Sequence, residues 1–285
     1  RALAIDLVRD VIPPPADDEL DAAYRHGLAE LNALGITGLC DIRLMGGTEG
    51  ARAWGAWQRL ERRGALTARC WLGIPGQRLD EALALGVQTG FGSARLRVGH
   101  VKYFADGGMG ARTARMLEPY HDGDCGMTLT GIDQLREAIV RAHRGGLGVM
   151  IHGIGDAANR ELVGLYEELL RGPLAELRPL VAPHRIEHAQ MMRPEDIARL
   201  GALDVMACVQ PTHLVLDMDM IEQALGERGR HTYPFRSLLD AGVMLCLSSD
   251  APVCDPDPIL GIHAAVTRQR PDGTPEGGWY PEQRI

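Results

Sequence analysis

Four residues that can do chemistry each end a short apolar run: Lys102, His152, His188 and Asp250. A lone residue of one of these types is usually structural. Four such residues, each at the end of an apolar run, indicate a shared site. Two imidazoles and a carboxylate favour zinc, or another divalent metal such as manganese or iron. Such a metal lowers the pKa of bound water toward neutrality and prepares it for hydrolysis. A protonated lysine cannot ligate, so Lys102 must be modified or have another role.

The apolar runs that position these residues predict β-strands. Amphipathic segments with helical spacing, such as residues 133–143 and 159–170, lie between the runs. Nearly continuous apolar strands joined by helices indicate a parallel sheet covered on both faces. The predicted strands are residues 36–42, 66–74, 96–104, 147–152, 181–188, 205–209 and 243–247.

This alternation predicts an α/β fold, a (β/α)8 TIM-like barrel that lacks its first strand, in one domain over residues 1–285. A doubly wound sheet is the alternative, but no GxGxxG opens a helix after the first predicted strand. Catalytic residues of such barrels lie at the carboxyl ends of the strands. We therefore expect the four residues to converge.

Composition narrows the class of ligand. The 285 residues are 45% hydrophobic and 24% charged, with a formal net charge of -8, which excludes a uniformly basic surface for nucleic acid. No stretch reaches the roughly 18 apolar residues of a membrane span. Six cysteines without a CxxC spacing favour reduced thiols in a cytoplasmic protein. We expect a small-molecule substrate, neutral or cationic, and leave a homo-oligomer open.

Four motifs together resemble the amidohydrolase superfamily, in particular its amidohydrolase-3, YtcJ-like branch. The resemblance extends over essentially the whole chain, from GIT at residues 35–37 to GWYPEQR at residues 278–284. The motifs occur in the order of that family. They are VKYFADGGMGARTA (101–114), HGIGDAA (152–158), RIEHAQ (185–190) and SSDAPV (248–253).

The resemblance implies a role for each of the four residues. Lys102 is similar to a lysine that is carboxylated and bridges two metals, while His152 and His188 are similar to metal ligands on the next two strands. Asp250 is similar to a carboxylate that binds metal and transfers a proton from water to the leaving amine. The implied activity is hydrolysis of a non-peptide carbon–nitrogen bond in an amide, formamide or cyclic amide, with one or two zinc ions.

One departure from the family pattern leaves alternatives open. The family's first strand ends in an HxH pair, and this sequence contains no HxH. The expected explanation is truncation at both ends, which would also remove a flanking β-sandwich and leave this chain itself inactive. The alternatives are a mononuclear enzyme acting on another ester or amine, and a noncatalytic barrel that serves as a binding or regulatory module.

Three further residues are candidates for substrate binding. Asp106 and Arg112 follow the Lys102 strand on a glycine-rich loop, where an arginine can hold a carboxylate or carbonyl. His213 lies in the loop after the strand at residues 205–209 and can face substrate. Glu187, by contrast, points away from His188 under strand alternation, which predicts a structural ion pair with the helical layer.

Overall fold

The computed structural model describes residues 11–42 and 50–285. Seven parallel strands form one sheet in the order of the chain. Every strand overlaps a predicted run, so the strand assignment is confirmed. The strands are β1 (Gly38–Asp41), β2 (Arg69–Pro75), β3 (Leu96–Phe104), β4 (Val149–Gly153), β5 (His184–His188), β6 (Val205–Val209) and β7 (Met244–Leu247).

Helices connect the strands, and within the described ranges none is long and apolar enough to cross a membrane. The two helices predicted over residues 133–143 and 159–170 are present and extend slightly further at each end. The helices are α1 (Asp17–Ala33), α2 (Gly50–Arg62), α3 (Leu79–Ala84), α4 (Ile132–Arg144), α5 (Asp156–Arg171), α6 (Pro194–Leu200), α7 (Pro211–Leu225), α8 (Phe235–Asp240) and α9 (Pro258–Thr267).

The strand order distinguishes the two predicted folds. Each strand pairs in parallel with the next one in the chain, from β1 to β7. A doubly wound sheet reverses its strand order at a switch point, so this alternative is wrong. Sequential order is typical of a TIM-like barrel. The expected loss of a first strand and a β-sandwich stays a prediction.

The core lies between the sheet and its helices. Val149 and Ile151 of β4 are fully buried, and α4 presents Leu135, Ile139 and Ala142 from one face. Residues three, four and seven apart share a helix face, which explains why this sequence pattern folds as a helix against the sheet. The covered sheet is the rigid base on which the strand ends carry their polar residues.

Candidate functional site

A cavity of about 320 Å³ includes the carboxyl ends of β3, β4 and β5. All four residues that the sequence singled out line it, as predicted for a barrel. So does His213 from α7. The wall is completed by Ile42, Phe104, Gly108, Met109, Gly110, Ile154, Gln190, Asp217 and Val253.

Three of these side chains form a compact donor cluster. One ligand atom each from His188, His213 and Asp250 lies within 4.8 Å of the other two. The His213 Nε2 atom is 3.7 Å from Asp250 Oδ2, and the His188 and His213 rings stack with their centroids 5.8 Å apart. Two nitrogens and one carboxylate oxygen at this spacing fit a divalent metal such as zinc.

Unusual backbone conformations accompany this convergence. His188 has φ 74°, Ala189 has φ 43° and Asp250 has φ 57°. Residues other than glycine rarely adopt positive φ, and such strain concentrates at functional sites. Neighbouring residues of a strand normally point to opposite faces of the sheet. Because the backbone of β5 departs from this pattern at His188, the side chains of both Glu187 and His188 point inward, and His188 reaches the cavity.

The position of Glu187 differs from the sequence prediction. Its ion pair is present, but the partner is Arg185 on the same strand, at 2.8 Å, and not the helical layer. The charge of Glu187 also raises the pKa of Lys102 on β3, against a larger opposite effect of burial. Glu187 therefore belongs to the inner face of the sheet, because the alternation breaks only one residue later.

Burial keeps the site histidines neutral. It lowers the pKa of His152 to about 3, that of His188 well below its usual range, and that of His213 to a smaller extent. Neutral imidazole is the form that binds metals. The lowered pKa values therefore leave these rings in a form that can bind a metal.

Several nitrogens at the site are buried without a hydrogen-bond partner among the described residues. These are Lys102 Nζ, His188 Nδ1 and His213 Nε2. Buried polar groups are nearly always paired, so these nitrogens are available to a ligand beside Asp250. The two histidines fit a metal directly. Lys102 fits only after carboxylation, since its ammonium form has no lone pair.

His152 and His213 each make contacts that bear on their predicted roles. His152 Nε2 lies 2.9 Å from the Gly107 carbonyl oxygen, while the His152 ring meets that of His188 edge-on with centroids 4.5 Å apart. His213, predicted to face substrate, instead lies within the donor cluster. Its placement favours a ligand role, and it follows from α7, which begins at Pro211 and brings its first turn to the cavity.

Asp106 is fully buried and does not line the cavity. Its carboxylate accepts hydrogen bonds from the backbone N–H groups of Arg115, Ile154 and Gly155, at 2.8–3.0 Å. All three donors belong to the loops at the rim. This arrangement favours a structural role for Asp106 over the substrate contact that the sequence suggested.

Arg112 is also directed elsewhere. Its guanidinium donates three hydrogen bonds to Asp122, from Nε to Oδ1 at 2.9 Å and to Oδ2 at 3.3 Å, and from Nη2 to Oδ2 at 3.2 Å. It is absent from the residues that line the cavity. The geometry therefore provides no support for Arg112 as a substrate ligand.

Two cavity residues were missed by the sequence reasoning. Gln190 donates from Nε2 to Asp217 Oδ2 at 3.1 Å, and both side chains line the cavity. Asp217 follows His213 by four residues on α7. That spacing places both on one helix face, a signal that was present in the sequence.

Comparisons with known proteins find relatives that match nearly the whole chain. Protein LONG AFTER FAR-RED 3 of Arabidopsis thaliana is 32% identical over 298 residues, covering 99% of this chain and 50% of that protein. The putative amidohydrolase YtcJ of Bacillus subtilis (strain 168) is 28% identical over 277 residues, covering 93% and 49%. The chain thus spans about half the length of these two relatives.

Two further proteins connect the chain to hydrolases. An N-substituted formamide deformylase of Arthrobacter pascens is 28% identical over 185 residues, covering 63% of this chain and 33% of that protein. The crystal structure of an uncharacterized metal-dependent hydrolase from Pyrococcus horikoshii OT3 superposes with a TM-score of 0.81 at 28% identity. That match covers 95% of this chain and 53% of the other.

The family comparison extends furthest along the sequence. The family described as the amidohydrolase family matches residues 1–284. Together with the strand order and the donor cluster at the strand ends, this match means that the chain belongs to the amidohydrolase family.

Proposed function

We propose that this chain carries the active site of a metal-dependent hydrolase that cleaves a non-peptide carbon–nitrogen bond in a small amide, formamide or cyclic amide. The observation that carries the proposal is the cluster of His188, His213 and Asp250 beside the cavity. The similarity to the Arthrobacter formamide deformylase supports the choice of bond. The chain's negative charge disfavours nucleic acid as a partner.

The metal is proposed to be zinc, held by His188, His213 and Asp250. Lys102 and His152 are placed to contribute to a second ion once the lysine is carboxylated. When bound, a divalent metal supplies Lewis acidity, which polarises a carbonyl group and makes water a stronger acid.

Asp250 is the proposed proton carrier. Its side chain is 20% exposed within the cavity wall, so it can contact both a water molecule and a substrate. We infer that its carboxylate accepts a proton from the attacking water and delivers it to the leaving amine.

The remaining wall determines what can enter. Phe104, Met109, Ile154 and Val253 present an apolar surface, and a volume of about 320 Å³ suits a small molecule. These side chains are proposed to pack against the substituent of the amide and to exclude bulk water from the reacting bond.

Elemental analysis and an activity screen test this function together. Protein purified from the full natural reading frame is stripped with a chelator, reconstituted with Zn²⁺ with and without ¹³C-bicarbonate, and assayed for amine release from formamides, amides and cyclic amides. We expect one or two ions per chain, activity that follows the metal, and a ¹³C carbamate signal from Lys102. Absence of both metal and hydrolysis after reconstitution would refute the proposal.

A further inference from the structure

Asp217 places a second carboxylate in the cavity, outside the donor cluster. It lies four residues after His213 on α7, about one helical turn and about 6 Å along the axis. Both side chains line the cavity. A short substrate bound with its reacting bond at the donor cluster could therefore also contact Asp217. Asp217 is not one of the proposed metal ligands.

Two buried donors hold this carboxylate in place. The Tyr233 hydroxyl donates to Asp217 Oδ2 at 2.5 Å, and Gln190 Nε2 donates to the same oxygen at 3.1 Å. Tyr233 and Gln190 are each only 2% exposed. Tyr233 is itself fixed, because its carbonyl oxygen accepts from the buried Arg268 guanidinium at 3.0 Å.

These contacts leave one oxygen for a ligand. Both hydrogen bonds from neighbouring side chains go to Oδ2, so within residues 11–42 and 50–285 they leave Oδ1 unused. A buried tyrosine and a buried amide already hold the Asp217 carboxylate in one position. Binding a ligand at its other oxygen therefore costs little further side-chain entropy. The arrangement is that of a binding group.

The charge of the cavity indicates what Asp217 binds. Among the described lining residues, the carboxylates are Asp217 and Asp250, and Lys102 is the only side chain with a basic amine or guanidinium. No lysine or arginine of the described chain forms an ion pair with Asp217, in contrast to the many paired carboxylates on the surface. A partly buried carboxylate without a cation is costly, and a cationic ligand removes that cost.

We infer that Asp217 is a specificity-determining residue that binds a positively charged nitrogen on the substituent of the substrate. The preferred substrate class is then an amide or formamide whose short aliphatic chain ends in an ammonium group. This inference rests on the proposed function and adds the chemistry of the substituent. The apolar wall contacts the methylene groups, and Asp217 Oδ1 contacts the terminal cation.

A matched pair of substrates tests the inference. N-(4-Aminobutyl)formamide and N-pentylformamide have the same number of heavy atoms, and only the first carries an ammonium group at neutral pH. With the zinc-reconstituted protein we expect kcat/KM to be about 10–100-fold higher for the amino compound, as for a hydrogen bond to a charged group. Asp217→Asn should remove that preference and change kcat/KM for N-pentylformamide less than about threefold.

Asp219→Asn is the control, because it removes the same charge two residues away on α7. Asp219 is highly exposed, pairs with Arg270 and does not line the cavity, so the substrate preference should persist. Equal losses for both formamides in Asp217→Asn, or a wild-type preference for N-pentylformamide, would overturn the inference.

Binding separates this inference from the proposed function. The proposed function is decided by the metal content and the full substrate screen, and if neither compound is hydrolysed, calorimetric Kd values of the same two compounds decide the inference. Tighter binding of the amino compound that is lost in Asp217→Asn supports it. Equal Kd values in the wild-type protein refute it.

Discussion

Two groups of three buried or partly buried histidines lie at different places around this sheet. His152, His188 and His213 line the cavity at the carboxyl ends of the strands. The second group is His100, His143 and His184, with His184 at the amino end of β5 and His143 on α4. Burial lowers the pKa of histidines in both groups, to about 3 for both His152 and His184.

The rings of the second group form hydrogen bonds with the main chain and with each other. His184 Nδ1 accepts from the backbone N–H of Val149 at 3.1 Å, and its Nε2 is hydrogen-bonded to His143 Nδ1 at 3.0 Å. His100 Nε2 lies 2.9 Å from the carbonyl oxygen of Pro183. These rings connect neighbouring segments of the fold, which identifies their function as structural.

The comparison of the two histidine groups shows which property identifies a ligand site. Unpartnered nitrogens occur in both groups, including His100 Nδ1 and His143 Nε2, and so do lowered pKa values. Only the cavity group brings two histidine nitrogens together with a carboxylate oxygen, as far as the described residues extend. Convergence on one point, and not burial, distinguishes ligands from core histidines.

The largest expected effect follows from removing one member of the cavity group. His188→Ala deletes a donor of the cluster, so we expect loss of bound metal and of turnover to background level. Changes in groups that merely orient ligands already cost about 10–100-fold. Elemental analysis and amine release measure both effects. Full metal content with normal turnover would show that the two histidine groups do not differ in function.

Asp250→Asn should separate metal binding from proton transfer. The amide keeps the shape and one oxygen but cannot carry the proton, so turnover should fall about 10²–10⁴-fold. More metal should remain bound than in His188→Ala. The same elemental analysis compares the two variants, and unchanged turnover would exclude Asp250 as the proton carrier.

His184→Ala is the matched change in the structural group. It leaves the Val149 N–H without its acceptor and opens a cavity, so we expect the free energy of unfolding to fall by about 2–4 kcal/mol. Urea denaturation measures this change. Metal content per folded chain should stay at the wild-type value, and a loss of metal would contradict the division between the groups.

The pH dependence of stability offers a smaller test. His184 has a folded pKa of about 3, lowered by burial, so its neutral form stabilises the fold fully above the ordinary pKa near 6.5. As pH falls from about 6.5 toward 3 the unfolded state takes up the proton first, and stability falls by up to about 1.4 kcal/mol per pH unit. Urea midpoints between pH 7 and 4.5 should show a shallower slope in His184→Ala. Parallel slopes would argue against a neutral His184.

The fold was predictable because its signals are local and repeated. Seven apolar runs with helices between them appear as β1 to β7, and the four polar residues that end them reach one cavity. The placement of His213 was not predictable in this way. It depends on where α7 begins relative to β6, and strand periodicity carries no information about that turn.

Other errors have the same origin in the loops. Strand alternation placed Glu187 against the helices, because a sequence does not reveal that β5 changes conformation at His188. Asp106 and Arg112 were expected near substrate from their loop, but tertiary partners distant in sequence determine their orientation. Long-range hydrogen bonds of this kind cannot be read from spacing alone.

The three hydrogen bonds to Asp106 also constrain the order in which the protein folds. They join residues 9, 48 and 49 positions apart, across the junction of β3, β4 and α5. Closing such long loops costs entropy before any contact forms, so these bonds are expected after the strands have paired. Asp106→Asn should accordingly speed unfolding and leave the refolding rate nearly unchanged, which stopped-flow chevron analysis measures. The rim of the cavity is then the last part to assemble and the first to open.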